Sequence, residues 1–171
     1  MPFVTAFYRA LGTGMVISVD SPIDDKVRSA MESLIEDYEH VLSRFRNDSL
    51  IAEIGKAEHG GSFDFPDWCA PLFDLYDALF SATSGAIDPC VGEDLIRLGY
   101  DASLSFTVTQ DAPEHLGALR GRAVWGRDVT RHGTTLVTHE PVQLDFGACG
   151  KGYLVDLLGR MLQSSQFVDR K

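Results

Sequence analysis

Gln143-Leu144-Asp145-Phe146-Gly147-Ala148-Cys149-Gly150-Lys151-Gly152-Tyr153-Leu154-Val155-Asp156 reads as a short strand ending in an acid, then closely spaced glycines, then the first turn of a helix. Glycines at such a junction let backbone N–H groups approach a ligand, and a helix start offers unpaired donors and a partial positive charge. Lys151 falls where the helix dipole disfavours a cation by roughly 0.3–1 kcal/mol, and a bound anion would offset that cost. A tight strand-to-helix turn carrying a solvated lysine accounts for the same residues. The stretch alone leaves both readings open.

Downstream, Leu154, Leu157, Leu158, Met161 and Leu162 recur at helical spacing, and after Gln163 the chain turns polar up to Lys171. Upstream, residues 3–9 and 14–20 suggest two strands joined through Gly12-Thr13-Gly14, rich in β-branched residues. Ser21-Pro22 has the form of a helix start, and Val27, Ala30, Met31, Leu34, Ile35, Tyr38, Val41 and Leu42 give the helix that follows one apolar face. Arg44-Phe45-Arg46-Asn47-Asp48-Ser49 breaks that periodicity, either as a solvated loop or as one facing an anion; Asp48 or Ser49 can cap a short helix to Ile54.

Residues 56–65 read as a polar surface loop. Asp67 is placed to cap a helix with Trp68, Leu72, Leu75, Leu79 and Ala82 as its apolar stripe, ended by Gly85 as a left-handed residue. Asp88 precedes a proline and is therefore biased to an extended backbone. Leu104–Thr109 alternates like a strand, and Pro113–Leu119 can be helical. Residues 122–130 and 134–138 suggest a hairpin around His132-Gly133 that runs into a strand over Val142–Phe146. Several helices follow one another between residues 21 and 98, so clean βαβ units are absent. The expected fold is α+β (mixed α/β), with helices packed on a mainly antiparallel sheet, in a single domain over residues 1–171.

The 171 residues are 44% hydrophobic and 23% charged, which is ordinary for a globular domain with a real core. A formal net charge of −10 argues against a nucleic-acid partner. Cys69, Cys90 and Cys149 are odd in number and widely spaced, which argues against a disulfide framework and a C-x-x-C site. No stretch approaches membrane-spanning length. A cytoplasmic location is expected, unless a signal or lipoprotein segment precedes this sequence.

Two nucleotide motifs fail here, the first being G-x-G-x-x-G, which the stretch over residues 143–156 does not fit. The phosphate-binding pattern G-x-x-x-x-G-K-[ST] needs glycine at position 145 and Ser or Thr at 152, where Asp145 and Gly152 stand. The five histidines (His40, His59, His115, His132 and His139) show no metal-ligand spacing. Cys149 near a helix start has the setting of a nucleophile, but no base is assignable, so a buried small residue is favoured.

Four pieces in order do carry a resemblance. They are Leu11-Gly12-Thr13 before a strand, Phe45-Arg46-Asn47-Asp48-Ser49-Leu50, Ser84-Gly85-Ala86-Ile87-Asp88-Pro89, and Leu144 to Tyr153 with Asp156. Together they resemble the ApbE family of flavin transferases, the FAD:protein FMN transferases. The resemblance implies an enzyme that cleaves the FAD pyrophosphate and moves FMN onto a Ser or Thr hydroxyl of a target protein, with Mg²⁺ and release of AMP. By that resemblance Leu11, Phe45, Ala86, Ile87, Asp88, Asp145 and Lys151 would contact FAD, and the Ala148 carbonyl would ligate the metal. These roles suit the residue types: a carboxylate can accept from an amine or a ribose hydroxyl, a lysine can pair with phosphate, and a carbonyl is a hard oxygen ligand. Leu11 stands where the family has methionine. The family's later segments, which carry the acidic and threonine metal ligands, have no counterpart here, so the chain resembles the N-terminal half of the fold. An inactive nucleotide-binding relative is the alternative, and half a sheet would leave edges for a homodimer or a complementing chain.

Overall fold

The structure, a computed structural model, describes residues 2–168, apart from the side chains of Arg9 and of residues 166–168. Residues 169–171, the end of the expected polar tail, lie outside the described part. The fold mixes helices with antiparallel sheets, as the sequence predicts. The residues group into two compact units, one of residues 1–39 with 149–171 and the other of residues 40–148.

In the first unit, β1 (Phe3–Ala10) and β2 (Thr13–Val19) form an antiparallel hairpin whose register runs from Phe3↔Val19 to Ala10↔Thr13. Leu11 and Gly12 make the two-residue turn with φ of 55° and 72°, the paired positive φ values of the turn that matches strand twist. Leucine is an uncommon occupant of that conformation. Its N–H is engaged by the Glu39 carboxylate. Between Phe7↔Met15 and Ala10↔Thr13, β1 has one residue more than β2, which makes a bulge.

The first long helix, α1 (Asp25–Leu42), starts three residues later than Pro22 suggests, because Asp24 supplies the cap: its Oδ1 accepts from Val27 N at 2.8 Å. Met31, Ile35 and Tyr38 are buried, whereas Ala30 of the predicted face is exposed. Tyr38 donates its hydroxyl to the Gly150 carbonyl at 2.8 Å, which ties α1 to the last helix, α6 (Gly147–Val168), of which residues 149 onward belong to this unit. Tyr153, Leu154 and Leu158 form its buried side.

In the second unit, α2 (Leu50–Ile54) is capped by Ser49, whose buried hydroxyl accepts from Ala52 N at 3.2 Å and donates to Ser43 O at 2.6 Å. Ser49→Ala is expected to cost about 0.5–2 kcal/mol, the usual range for a lost cap. Chemical denaturation checks this, and an unchanged midpoint would remove the cap from the account.

The predicted loop 56–65 contains a strand instead. β3 (Gly61–Asp64) pairs with β5 (Thr135–Thr138), and β5 pairs in turn with β4 (Val129–His132), giving the antiparallel order β3-β5-β4. Four residues with a single buried side chain, Phe63, leave too short an alternation to announce a strand. The next helix, α3 (Ala70–Ala82), follows a 3₁₀ turn over Asp67–Cys69, and no side chain caps it. Its buried residues are Leu72, Phe73 and Tyr76, whereas Leu75 is exposed, so the buried stripe is rotated from the predicted one. Ser84 as well as Gly85 adopts positive φ where the helix ends.

Phe73 is the hub of the unit's core. Its ring centroid lies 5.1 Å from Phe65, 5.4 Å from Phe146 and 6.1 Å from Trp125. Aromatic pairs at these separations add attraction beyond their buried area. Two predicted strands do not form. Leu104 and Phe106 take φ of 53° and 49°, which no strand accommodates. Val142–Phe146 is extended but joins no sheet. The remaining short helices are α4 (Gly92–Arg97) and α5 (Ala112–His115).

Candidate functional site

Extended backbone over residues 142–146 sets the site's first side chain. Val142, Leu144 and Phe146 are buried in alternation, as an extended segment with one face on a core requires. The Phe146 ring meets Phe73, Tyr76 at 5.2 Å and Trp125 at 6.2 Å, which leaves Asp145 on the opposite face. Backbone partners come from residues 89–92 rather than from a strand: Asp145 N donates to Pro89 O at 2.7 Å, and Gly92 N to Gln143 O at 3.1 Å. Gln143 Nε2 also donates to Gly55 O at 3.0 Å. Two of the four motifs, the third and the fourth, thus meet at this segment.

The Asp145 carboxylate has two protein donors. Gly147 N donates to Oδ1 at 2.6 Å, and Arg44 Nε donates to Oδ2. A Cβ at 147 would lie 2.8 Å from the same Oδ1, so any other residue there would displace the carboxylate tip. Gly147 is already helical, so the glycine run forms the first turns of α6 rather than a loop before it.

Arg44 is no solvated loop residue. Its side chain is 8% exposed, and the guanidinium carbon sits 4.3 Å from the Phe45 ring centroid and 4.6 Å from that of Tyr100. Arginine against an aromatic face is attracted by the ring quadrupole. The two rings meet edge to face at 5.3 Å, and Phe106 lies 6.3 Å beyond Tyr100. Phe45 is 41% exposed, Tyr100 38% and Phe106 72%. Arg44 Nη2 is buried with no hydrogen-bond partner. Arg46, the arginine inside the motif, pairs with Asp48 at 3.0 Å.

The loop carrying Phe106 is organised by Asp101, whose Oδ1 accepts from Ser103 N at 2.8 Å and whose Oδ2 accepts from Ser105 Oγ at 2.6 Å. These donors, the Ser105 hydroxyl foremost, hold the Asp101 carboxyl well below the usual carboxylate range.

Asp88 has a different setting from Asp145. It is extended (φ −137°, ψ 118°), as its place before proline predicts, and its Oδ1 accepts from Cys90 N at 2.8 Å and Trp125 N at 3.3 Å. Oδ2 accepts from Arg122 Nη1 at 3.0 Å, with side chains 1% and 7% exposed. Arg122 Nε lies 2.9 Å from Asp94 Oδ2, close enough for an ion pair although not aligned as a hydrogen bond. The Asp88 carboxylate is therefore committed to the interior, where it fixes the path of the loop. Ala86 beside it is exposed and Ile87 half-buried, and Ile87 N donates to Thr83 Oγ1 at 3.0 Å.

Leu11 and Lys151 belong to the first unit, Leu11 half-buried in the hairpin turn and Lys151 exposed on α6. Ala148 is the second residue of α6. Among the described residues, no group of three His, Cys, Asp or Glu side chains is placed to hold a metal ion. A single neutral carbonyl does not hold Mg²⁺, so the described residues do not fit a metal site by themselves.

Cys69 and Cys90 are buried. Burial pushes the Cys69 thiol up to about 12, and burial with the nearby Asp88 charge pushes Cys90 up as well. Since the thiolate is the reactive form, neither is expected to alkylate in the native protein at pH 8. Mass spectrometry after brief iodoacetamide treatment checks this; labelling of either thiol before unfolding would contradict it.

Sequence reasoning missed Tyr100, Phe106 and Arg122 and left Arg44 ambiguous. Only Arg44 carried a signal, being adjacent to the motif aromatic.

A sequence profile of the ApbE family matches residues 11–169. No curated protein matches the chain. Among solved structures, the flavin transferase ApbE of Vibrio cholerae is similar with a TM-score of 0.80 at 22% identity, over 96% of this chain and 54% of that one. The flavinyl transferase ApbE of Pseudomonas stutzeri, in its apo form, gives 0.74 at 22% identity, over 95% and 54%. An ApbE protein from Thermotoga maritima gives 0.72 at 20% identity, over 96% and 53%. Likeness at these identities is likeness of fold. The chain spans a little over half the length of each of these structures.

Proposed function

Because the chain belongs to the ApbE family, we propose that residues 1–171 act as one functional domain in FAD:protein FMN transfer. In that reaction a Ser or Thr hydroxyl of a target protein attacks the flavin-side phosphorus of the FAD pyrophosphate. A phosphoester forms, the pyrophosphate bond breaks, AMP leaves and the hydroxyl proton is lost. Phosphoryl transfer of this kind depends on positioning and charge neutralisation.

The observation that carries the reading is the junction where the Asp145 carboxylate meets Gly147 N at the start of α6, beside the exposed Phe45 ring. A helix start is suited to anions, a carboxylate to an amine or ribose hydroxyl, and an exposed aromatic face to a flat ring. Leu11, Phe45, Ala86, Ile87, Asp145 and Lys151 are the proposed nucleotide contacts. Asp88 contributes by holding the 86–88 loop. When bound, Mg²⁺ would neutralise phosphate charge, with the Ala148 carbonyl as one ligand and the others from outside the described residues.

The test is incubation with FAD, Mg²⁺ and a target peptide, using this chain and the full-length gene product in parallel. A flavin-labelled peptide with AMP release is the expected result. Neither product from either preparation would sink the reading.

A second reading, a nucleotide-binding subunit that pairs with a second copy or a complementing chain, is favoured by the β3-β5-β4 sheet. Its outer strand β3 pairs within the sheet with β5 alone, and β4 has besides β5 only an isolated bridge from Val129 to Trp125; such edges invite pairing. FAD binding by a dimer without AMP release would support it. Among the described residues no helix is long and apolar enough to cross a membrane, which is compatible with work in the cytoplasm.

A further inference from the structure

We propose that Arg44 is a ligand-reading residue of this site, whose Nη2 takes a carbonyl on the dione edge of the flavin ring. The inference rests on the nucleotide-binding reading above and adds to it a residue and a ring edge. Its starting point is an incomplete ion pair. A guanidinium facing a carboxylate commonly engages it through two parallel N–H donors. Arg44 gives Asp145 only Nε, and Nη2 remains buried and without a partner although the side chain is 92% removed from solvent. Buried donors are nearly always satisfied, so an orphan of this kind calls for an acceptor supplied from elsewhere.

The surroundings define that acceptor. Asp145 already neutralises the guanidinium, so a phosphate would bring excess negative charge into a poorly solvated place, whereas a neutral carbonyl would not. The flanking groups are aromatic: Phe45 and Tyr100 lie against the guanidinium, and Phe106 extends the patch. A flat ring stacked on such a patch carries its carbonyls in its own plane, where the edge of a guanidinium can donate to them. Nη2 is closed off by its neighbours, so a ligand reaches it only if the Phe45 or Tyr100 ring turns aside. Both rings are exposed by about two-fifths, 41% and 38%, and have solvent on one side to turn into.

The experiment titrates the 171-residue chain with FAD, riboflavin and ADP, following flavin fluorescence for the first two and calorimetry for the third. Arg44→Met and Arg44→Lys are compared with the parent. Both are expected to weaken FAD and riboflavin by about tenfold or more, the size of a charge-assisted hydrogen bond, and to weaken ADP by clearly less. The visible absorption band of bound riboflavin is also expected to move between the parent and Arg44→Lys, because it reports hydrogen bonding at the ring. Should Arg44→Met fail to fold, Tyr100→Leu, which leaves the Asp145 pair intact, is expected to weaken riboflavin selectively. Unchanged flavin affinity, or equal losses for ADP and riboflavin, overturns the assignment while the nucleotide site stands. A parent chain that binds neither FAD nor ADP overturns both.

Discussion

Replacing Asp145 with alanine is expected to destabilise the residue 40–148 unit by about 3–5 kcal/mol, the range for removing one partner of a buried ion pair. The side chains of Arg44 and Asp145 are 8% and 12% exposed, so water cannot readily replace the lost carboxylate. Arg44 would keep its two aromatic neighbours but no counter-charge, and Gly147 N would lose its acceptor at the start of α6. Asp145→Asn keeps an oxygen for one donor and is expected to lose less. Combining Asp145→Ala with Arg44→Met removes the stranded cation, so the double variant should recover part of the single variant's loss. Urea denaturation of the four proteins measures this. A single-variant cost below about 1 kcal/mol would place the pair in the class of solvent-screened surface bridges.

Asp88→Ala is the second large effect, expected at about 2–6 kcal/mol, because two buried backbone donors lose their acceptor at about 1–3 kcal/mol each. Its consequences differ. Asp88 accepts from two backbone N–H groups as well as from Arg122, so alanine would strand both N–H groups in the interior, whereas Arg122 would keep Ala123 O and Asp94. Cys90 N and Trp125 N belong to segments 35 residues apart (125 less 90), and their shared acceptor joins them. Loss of the carboxylate is therefore expected to loosen the environment of Trp125, which is 3% exposed, and to redden its fluorescence. An Asp88→Ala protein with parental stability and an unmoved tryptophan spectrum would refute the buried-clamp account.

The contrast between the two acids explains how much of the site could be read from residues alone. Ordered motifs identified the family and singled out Asp88 and Asp145, because residue type and local spacing are sequence properties. Their different environments depend on partners far along the chain, Arg122 for one and Arg44 for the other, 34 and 101 residues away. No local pattern encodes that separation. Helices with strong 3.6-residue periodicity, α1 and α6, were legible, although the α1 cap lay at Asp24 rather than at the more conspicuous Ser21-Pro22. Short elements were not. β3 reads as polar loop because one buried residue in four carries no period. Leu104–Thr109 alternates as a strand should, but two residues with positive φ prevent one, under the direction of Asp101. Val142–Phe146 shows that alternation reports burial on one face and does not by itself guarantee a sheet partner.

The glycines that open α6 have a consequence for local stability. Gly147, Gly150 and Gly152 fall within its first six residues, and each glycine in a helix interior costs about 1 kcal/mol relative to alanine. At 152 a Cβ would meet nothing within 4 Å, so packing does not demand glycine there. The helix therefore has its weakest turns at the end where Asp145 and Gly147 meet. Local opening of those turns should be cheap compared with global unfolding, and their amide protons should exchange with deuterium well before those around buried Leu154 and Leu158. An anion seated on that end would close the gap, and slowed exchange confined to the first turns would map its position without any need for turnover.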